Sequence, residues 1–338
     1  MSHKSISLFV PGLLELAEAF KHLPAADTPA LKNLQRFLSR AEKKPVDIHD
    51  WHDGLASLFS FKKLPAAELR YQQYAGVSDK SFFCLCADPV FIQPDLNSAI
   101  LLAHEELALS LEEAKQLVTA INEHFADEHW TLQVLQPHCW VMKSVQPFLV
   151  KTTALLKLIG QPVGNSLVQG EDRSYWQRIQ NEIQMLLFAH PLNKQREQQG
   201  RPPVNSLWLW GEGALTESST DWQCILGQGD LLDALIDNFH CVGIKTSLYE
   251  QLNIDATVHT LVASNEFESI TQAQDIYAWV EALKQFENNW MPVVFDLLNT
   301  RKIDEINLLV GDGLQFKLNR KMSHRWWRKM KSLDTFKK

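Results

Sequence analysis

The sequence HPLNKQREQQGRPPVNSLWLWGEG, residues 190–213, contains the pattern that decides the fold. Its apolar run SLWLW, residues 206–210, ends at a Gly-Glu-Gly turn, which is typical of a buried strand. The segment before it, residues 173–190, carries apolar side chains at helical spacing. A helix that leads into a buried strand is the repeating unit of an α/β fold, and SLWLW is therefore predicted to be a core strand.

The same alternation extends in both directions. ISLFV at 6–10 and INLLVGDG at 306–313 are predicted strands, while residues 28–43, 110–125 and 229–243 are predicted helices. Strands that alternate with helices predict the α/β class, with a mainly parallel sheet and helices on both faces.

Two of these helices have start signals. Thr28 is a candidate N-cap that is followed by Pro29 at the first helical position. Ser110 and Glu113 form the pattern of a capping box.

A compact β-α-β-β unit interrupts the series. It consists of a strand at 81–92, the helix at 110–125, and two strands, WTLQVLQ and HCWVMK, that meet at Pro137. We expect a small inserted α+β domain at 76–160, with the core formed by residues 1–75 and 161–338.

Composition limits the classes of function. The chain has 338 residues, a net charge of −7, 45% hydrophobic and 22% charged residues. Nucleic-acid binding is not expected from this acidic balance, and without eighteen consecutive apolar residues no membrane span is expected. Five scattered cysteines and no signal-peptide pattern favour a reducing, cytoplasmic location. The oligomeric state is left open.

Several segments resemble known proteins. Residues 190–213 are similar to the segment that enters a core strand in archaeal-type cofactor-independent phosphoglycerate mutases. The shared residues are His190, Pro191, Asn193, Arg196, Gly200, Pro203, Asn205, Gly211 and Gly213. TPALKNL at 28–34 resembles a helix start of the alkaline-phosphatase superfamily. ADPVFIQPD, NSLWLWGEG and HRWWRK resemble the RpfE-type regulatory proteins, a bacterial group of shortened mutase homologues.

This resemblance implies an alkaline-phosphatase-like core, two divalent metals (Mn or Zn), and a Ser or Thr nucleophile that carries the phosphoryl group. The sequence departs from that pattern at three places. Pro11-Gly12 stands where the enzymes have Asp-Gly, Asp312-Gly313 where they have Asp-His, and Gly54 where the serine falls, with Ser57 nearby. We therefore expect a degenerate, non-catalytic homologue without a metal cofactor. The alternative is an active Mn- or Zn-dependent mutase or phosphatase with a relocated site.

The weak metal candidates are Asp312 and the stretch IHDWHD, with His49, His52 and Asp53. At spacings of three and four residues, these side chains could share one face of a helix. A solvated turn is the other interpretation.

The tentative ligand-binding residues are Asn193, Arg196, Asn205 and Glu212. The first three could hold a phosphate or carboxylate, or could brace the loop that enters SLWLW. The expected partners are a small phosphorylated ligand or a protein.

From Lys317 onward the tail is basic and contains Trp326 and Trp327. We expect these aromatic side chains to pack on the domain and the lysines to be solvated. An adaptor that docks through this tail is the alternative.

Overall fold

The computed structural model describes residues 4–76, 81–94, 99–159, 168–215, 220–245 and 259–337. The chain forms two compact units. The first unit consists of Met1–Lys62 with Ser218–Lys338, and the second is Lys63–Glu217.

Secondary-structure elements are numbered along the whole chain. In the first unit the strands are β1 (Ser5–Phe9), β2 (Glu42–Pro45), β10 (Cys224–Gly227), β11 (Val242–Lys245), β12 (Thr260–Ala263), β13 (Glu305–Leu309) and β14 (Leu314–Asn319). Its helices are α1 (Ala17–Phe20), α2 (Lys32–Arg40), α3 (Trp51–Leu58), α8 (Asp230–Phe239), α9 (Glu266–Gln272), α10 (Ile276–Asn289), α11 (Met291–Asn299) and α12 (Arg320–Ser323).

These strands form one sheet in the order β11-β10-β12-β1-β13-β14-β2. The pairs from β11 to β13 are parallel, whereas β14 is antiparallel to both β13 and β2. The prediction of an α/β fold with a mainly parallel sheet is confirmed.

Strand β1 shows that helices cover both faces of this sheet. All five of its residues are buried, although alternate side chains point to opposite faces. Ile6 and Leu8 join the core formed with α2, α10 and α11, while Phe9 stacks on Trp51 of α3.

The strands of the second unit are β3 (Phe83–Pro94), β4 (Ala99–Ala103), β5 (Trp130–Gln136), β6 (Cys139–Ser144), β7 (Val150–Lys151), β8 (Gln169–Gly170) and β9 (Ser206–Trp210). Its helices are α4 (Ala66–Ala75), α5 (Leu111–His124), α6 (Arg173–Ala189) and α7 (Pro191–Gln198). Strands β4, β3, β6 and β5 form an antiparallel sheet in that order, and β9 pairs with β3.

The position of β9 corrects the prediction that SLWLW belongs to the core sheet. Its residues pair antiparallel with Cys86–Val90 of β3, from Cys86 opposite Trp210 to Val90 opposite Ser206. Leu207 and Leu209 join the same hydrophobic cluster as Trp176 and Ile183 of α6.

The second unit is accordingly longer at both ends than the expected insertion at 76–160. Helix α4 precedes it, and the described residues 168–215 follow. The expected boundary after residue 160 lies outside the described residues.

Two predicted helix ends also change. Helix α2 begins at Lys32 and not at Thr28, because the Thr28 hydroxyl donates to the Pro24 carbonyl and closes a separate turn. Helix α8 ends at Phe239, since His240 takes a left-handed conformation with φ 53°. None of the described helices is long and apolar enough to cross a membrane.

Candidate functional site

The carboxyl ends of β1 and β13 lie side by side, because Phe9 pairs with Leu309 in parallel register. The loops that follow stay in contact: the Gly12 amide donates to the Val310 carbonyl at 3.1 Å. A side-chain carbon added at Gly311 would lie only 2.6 Å from Cβ of Pro11. Pro11 and Gly311 therefore pack closely at the strand end, where open α/β sheets place their ligands.

Gly54 lies in α3, directly against the ring of Phe9. A Cβ added to Gly54 would lie 1.9 Å from Cζ of Phe9. The ring is fully buried and stacks on Trp51 with 5.4 Å between ring centroids and an interplanar angle of 2°. The place into which a side chain at position 54 would project is thus occupied by an aromatic ring.

Asp312 is partly buried beside a second carboxyl group. The carboxyl group of Glu15 lies close enough to influence its pKa, and Glu15 forms an ion pair with Lys337 at 3.0 Å. The Oδ2 atom of Asp312 is buried and has no hydrogen-bond partner among the described residues. Burial, followed by the hydrogen bond and the negative charge of Glu15, raises the pKa of Asp312 to about 7. At pH 7 Asp312 is therefore protonated in about half of the molecules, and it must lose that proton to act as a metal ligand.

The IHDWHD stretch is a helix start. Asp50 is the N-cap of α3, and its carboxylate accepts from the backbone N–H groups of His52 and Asp53. His49 therefore precedes the helix and does not share a helical face with His52, which corrects the expectation. His52 is buried and Asp53 is exposed. Among the described residues, no three His, Cys, Asp or Glu side chains converge as a metal site requires.

The imidazole of His49 nevertheless lies beside Gly313. A Cβ at Gly313 would be 3.3 Å from Cε1 of His49, whose Nε2 is 3.2 Å from Asp47 Oδ1. One imidazole is thus close to the position that the resemblance gives to a histidine.

Three of the four tentative ligand-binding residues have their polar groups directed to protein atoms. Asn193 donates to the carbonyls of Leu187 and Val204 and accepts from the Val204 amide. Arg196 is fully buried. Its guanidinium donates to Glu113 at 2.8 Å and to the carbonyls of Leu107 and Pro202.

Asn205 exchanges two hydrogen bonds with the backbone of Ile92, at 2.8 and 2.9 Å. These contacts are the ones that the bracing interpretation expects. Ligand binding through these three residues stays a prediction.

Glu212 lies at the end of β9 in the second unit and is engaged by local groups. Its carboxylate contacts Lys63 Nζ and accepts from both the amide and the hydroxyl of Thr152. It thus ties the loop after β9 to two other loops of that unit, and ligand binding through it also stays a prediction.

A buried ion pair in the second unit was not foreseen from the sequence. Asp88 is fully buried and accepts from Arg70, from the Trp210 indole and from the Trp140 amide, at 2.7, 2.7 and 3.1 Å. The Arg70 guanidinium also lies 4.8 Å from the ring centroid of Trp210. Burial lowers the pKa of Arg70, but the charge of Asp88, the nearby Cys139 and Cys86 thiols and the hydrogen bond to Asp88 together raise it well above its usual value. The segment ADPV contains a signal: its aspartate lies within an otherwise apolar strand.

The basic tail packs differently from the expectation. Leu333 and Phe336 enter the core, and Phe336 meets the ring of Phe316 edge-on at 6.0 Å. Trp326 and Trp327 are instead 80% and 64% exposed. The prediction that this tryptophan pair packs on the domain is wrong.

Comparisons with known proteins support a similarity to cofactor-independent phosphoglycerate mutases, at low identity and over part of the chain. A 2,3-bisphosphoglycerate-independent phosphoglycerate mutase of Methanosarcina acetivorans is 28% identical over 91 residues, which is 27% of this chain and 23% of that enzyme. The corresponding enzyme of Methanothrix thermoacetophila is 36% identical over 56 residues, 17% of this chain and 14% of that enzyme. This chain is similar to cofactor-independent phosphoglycerate mutases. The matches span about a quarter or less of these relatives.

The fold comparison reaches further along the chain. The PH0037 protein of Pyrococcus horikoshii superposes with a TM-score of 0.53 at 11% identity, over 94% of this chain and 88% of that protein. At this identity the likeness concerns the fold alone. No family profile matches the chain.

Proposed function

We propose that this protein is a non-catalytic relative of the cofactor-independent phosphoglycerate mutases with a regulatory or binding role. One observation carries the proposal: the ring of Phe9 lies 1.9 Å from the point where a nucleophile's Cβ would be at Gly54. Phosphoryl transfer through a covalent intermediate needs a hydroxyl that projects toward the substrate. At this position the chain has neither the hydroxyl nor space for it.

The electrostatics of the strand ends support the same proposal. A divalent pair needs several ionised or imidazole ligands. Pro11 supplies none, and the raised pKa of Asp312, about 7, means that this carboxyl group must lose a proton before it can bind a metal at neutral pH. Mn or Zn would have to bind close to Lys337, whose ammonium reaches Glu15. Regulation of the RpfE type, and a cytoplasmic location in which the five free cysteines stay reduced, belong to this proposal.

The alternative function is an active mutase or phosphatase with a relocated metal site. The imidazole of His49 beside Gly313 favours it, since one histidine and Asp312 lie near each other there. An adaptor role for the tail also stays a prediction, and the exposed Trp326 and Trp327 favour it.

Metal analysis and a mutase assay on the same purified protein separate the first two functions. We expect no stoichiometric Mn or Zn after dialysis, and no interconversion of phosphoglycerates with either metal added. The Methanosarcina acetivorans mutase, carried through the same steps, is the positive control. Tightly held metal together with turnover that His49→Ala abolishes would establish the alternative.

A further inference from the structure

A basic cleft in the first unit lies between α2 and the C-terminal tail. Its volume is about 450 Å³, and its lining includes Lys32, Arg36, Arg40, Trp326, Arg328 and Lys329. Small-molecule sites typically have volumes of a few hundred Å³. The cleft is therefore large enough for a compact ligand with both a charged and a planar part.

The cations of this cleft have no counter-charge among the side chains that the structure describes. None of Lys32, Arg36, Arg40, Arg328 and Lys329 forms an ion pair with any described carboxylate, in a chain of net charge −7. Glu287 reaches the start of α2, but its two carboxylate oxygens accept from the backbone N–H groups of Asn33 and Leu34.

Two arginines one helical turn apart lower the stability of this arrangement. Arg36 and Arg40 are neighbours on one helix face, where like charges repel. Burial and the nearby charge of Arg36 lower the pKa of Arg40. The Nε of Arg36 is buried and has no hydrogen-bond partner within the described parts of the chain. An anion in the cleft would supply the missing negative charge beside both guanidinium groups.

Backbone contacts hold two of the guanidinium groups in place without using all their donors. Arg40 donates to the Ser323 carbonyl, and Arg328 donates to the carbonyls of Ser39 and Ala41 at 3.4 and 3.3 Å. Each guanidinium has five N–H groups, so several on each remain for the oxygen atoms of a phosphate.

The aromatic side of the cleft is Trp326, which is 80% exposed. An indole face that is open to solvent beside positive charges suits a planar base, because bases stack on aromatic rings. Trp327 meets Trp326 edge-on at 6.0 Å between centroids and does not line the cleft.

We propose that this cleft binds a nucleotide, with its phosphates on Arg36 and Arg40 and its base stacked on Trp326. The proposal goes beyond the loss of catalysis and does not depend on it, since none of these residues lies at the strand ends. Inorganic anions would use only the arginines, whereas a nucleotide uses both parts of the cleft.

The test is calorimetric titration of the full chain with ATP, GTP and pyrophosphate. We expect saturable binding of the nucleotides, weakened at least about tenfold by Arg36→Gln with Arg40→Gln, since hydrogen bonds between guanidinium and phosphate groups are stronger than neutral ones. The charge-matched control, Arg173→Gln with Arg178→Gln on α6 of the second unit, is expected to bind ATP like the unaltered protein. If the α2 variant does not fold, Lys32→Gln with Lys329→Gln, both exposed, is the substitute.

The aromatic part is tested separately. Trp326→Ala is expected to weaken ATP binding about tenfold and to leave pyrophosphate binding unchanged, because stacking contributes only to base binding. Trp327→Ala removes an exposed indole outside the cleft and is the matched control.

Three results would overturn the proposal. They are failure of the unaltered protein to bind nucleotides, equal effects of the two tryptophan variants, and affinity for single-stranded oligonucleotides that rises with their length. The last result would indicate nucleic acid as the occupant.

Discussion

At the scale of single residues, the Phe9 ring determines what can fit at Gly54 in the candidate site. By the resemblance, Gly54, Pro11 and Gly313 stand where a serine, an aspartate and a histidine are expected, but the sequence does not show what lies around these positions. That depends on the direction of the Phe9 side chain and on how α3 packs against β1, and both are set by tertiary contacts. A resemblance can therefore predict that Gly54 stands at the serine position without predicting the aromatic ring that lies against it.

Replacing Gly54 by alanine tests this packing. Gly→Ala inside a helix normally stabilises a protein by about 0.5–1 kcal/mol. Here we expect destabilisation by about 1–3 kcal/mol, because the new methyl group meets the Phe9 ring. Urea denaturation measures the change. Ser57→Ala on the exposed side of the same helix is the control, and the penalty should shrink in a Phe9→Leu background. A stabilised Gly54→Ala protein would contradict the packing.

Asp312 gives a pH prediction with a definite sign. Its pKa rises from 3.8 in the unfolded chain to about 7 in the folded one, so between these values only the folded state holds the proton. The stability from this group is present below about pH 4 and is lost as the pH rises through 7. Allowing for its partial exposure, we expect a loss of about 1–2 kcal/mol.

Asp312→Asn should remove that pH dependence. The neutral amide keeps a donor toward Glu15, so the variant should be more stable than the unaltered protein at pH 8 by about 1–2 kcal/mol and nearly equal to it at pH 4. Guanidinium denaturation across this range measures it, with the exposed Asp27→Asn as control. A variant that is less stable at pH 8 would indicate that the ionised Asp312 is needed, as a metal ligand would be.

At the scale of elements, local signals were predicted well and sheet membership was not. The capping box of α5 is present, with Ser110 and Glu113 each bonded to the other's backbone. The start of α2 was misplaced, because Thr28 has a competing acceptor in Pro24. Strand β9 was recognised as a strand, yet its pairing with β3 depends on residues far away in the chain. Apolar periodicity does not encode which sheet a strand joins.

The ion pair between α4 and β3 should dominate the stability of the second unit's sheet. Asp88→Asn leaves Arg70 buried without its counter-charge, and we expect a loss of about 3–5 kcal/mol. Thermal and urea denaturation measure it. Glu182→Gln, which breaks the exposed pair with Arg178 on α6, should change stability by less than about 1 kcal/mol. Equal effects of the two substitutions would show that the buried pair contributes no more than a surface one.

At the scale of the whole molecule, the discontinuous core was predictable but its boundaries were not. Alternating strands and helices indicate one sheet interrupted by an insertion. The insertion gains α4 before it and α6, α7 and β9 after it, because these elements bury their apolar faces against β3 and its neighbours. The distribution of charge also depends on the fold. The net charge of the chain is −7, yet folding brings basic residues from α2 and the C-terminal tail together in one cleft.

The second unit should therefore fold by itself. A fragment covering residues 63–217 contains its own cluster, including the buried Trp130, Trp140 and Trp176. We expect one cooperative thermal transition by circular dichroism, lowered by roughly 10 °C in the Asp88→Asn fragment. A fragment cut at 76 and 160 lacks α4, α6 and β9 and should show no such transition. Cooperative folding of the shorter fragment alone would contradict these boundaries.

The most direct test of the account is an anomalous-scattering measurement on crystals grown with manganese and phosphoglycerate. We predict no manganese peak at the carboxyl ends of β1 and β13, with the Phe9 ring in contact with Gly54 and Pro11 in contact with Gly311. Two manganese peaks there, ligated by Asp312 and His49 and adjacent to a serine or threonine hydroxyl, would contradict the proposal that this protein has lost phosphoryl transfer.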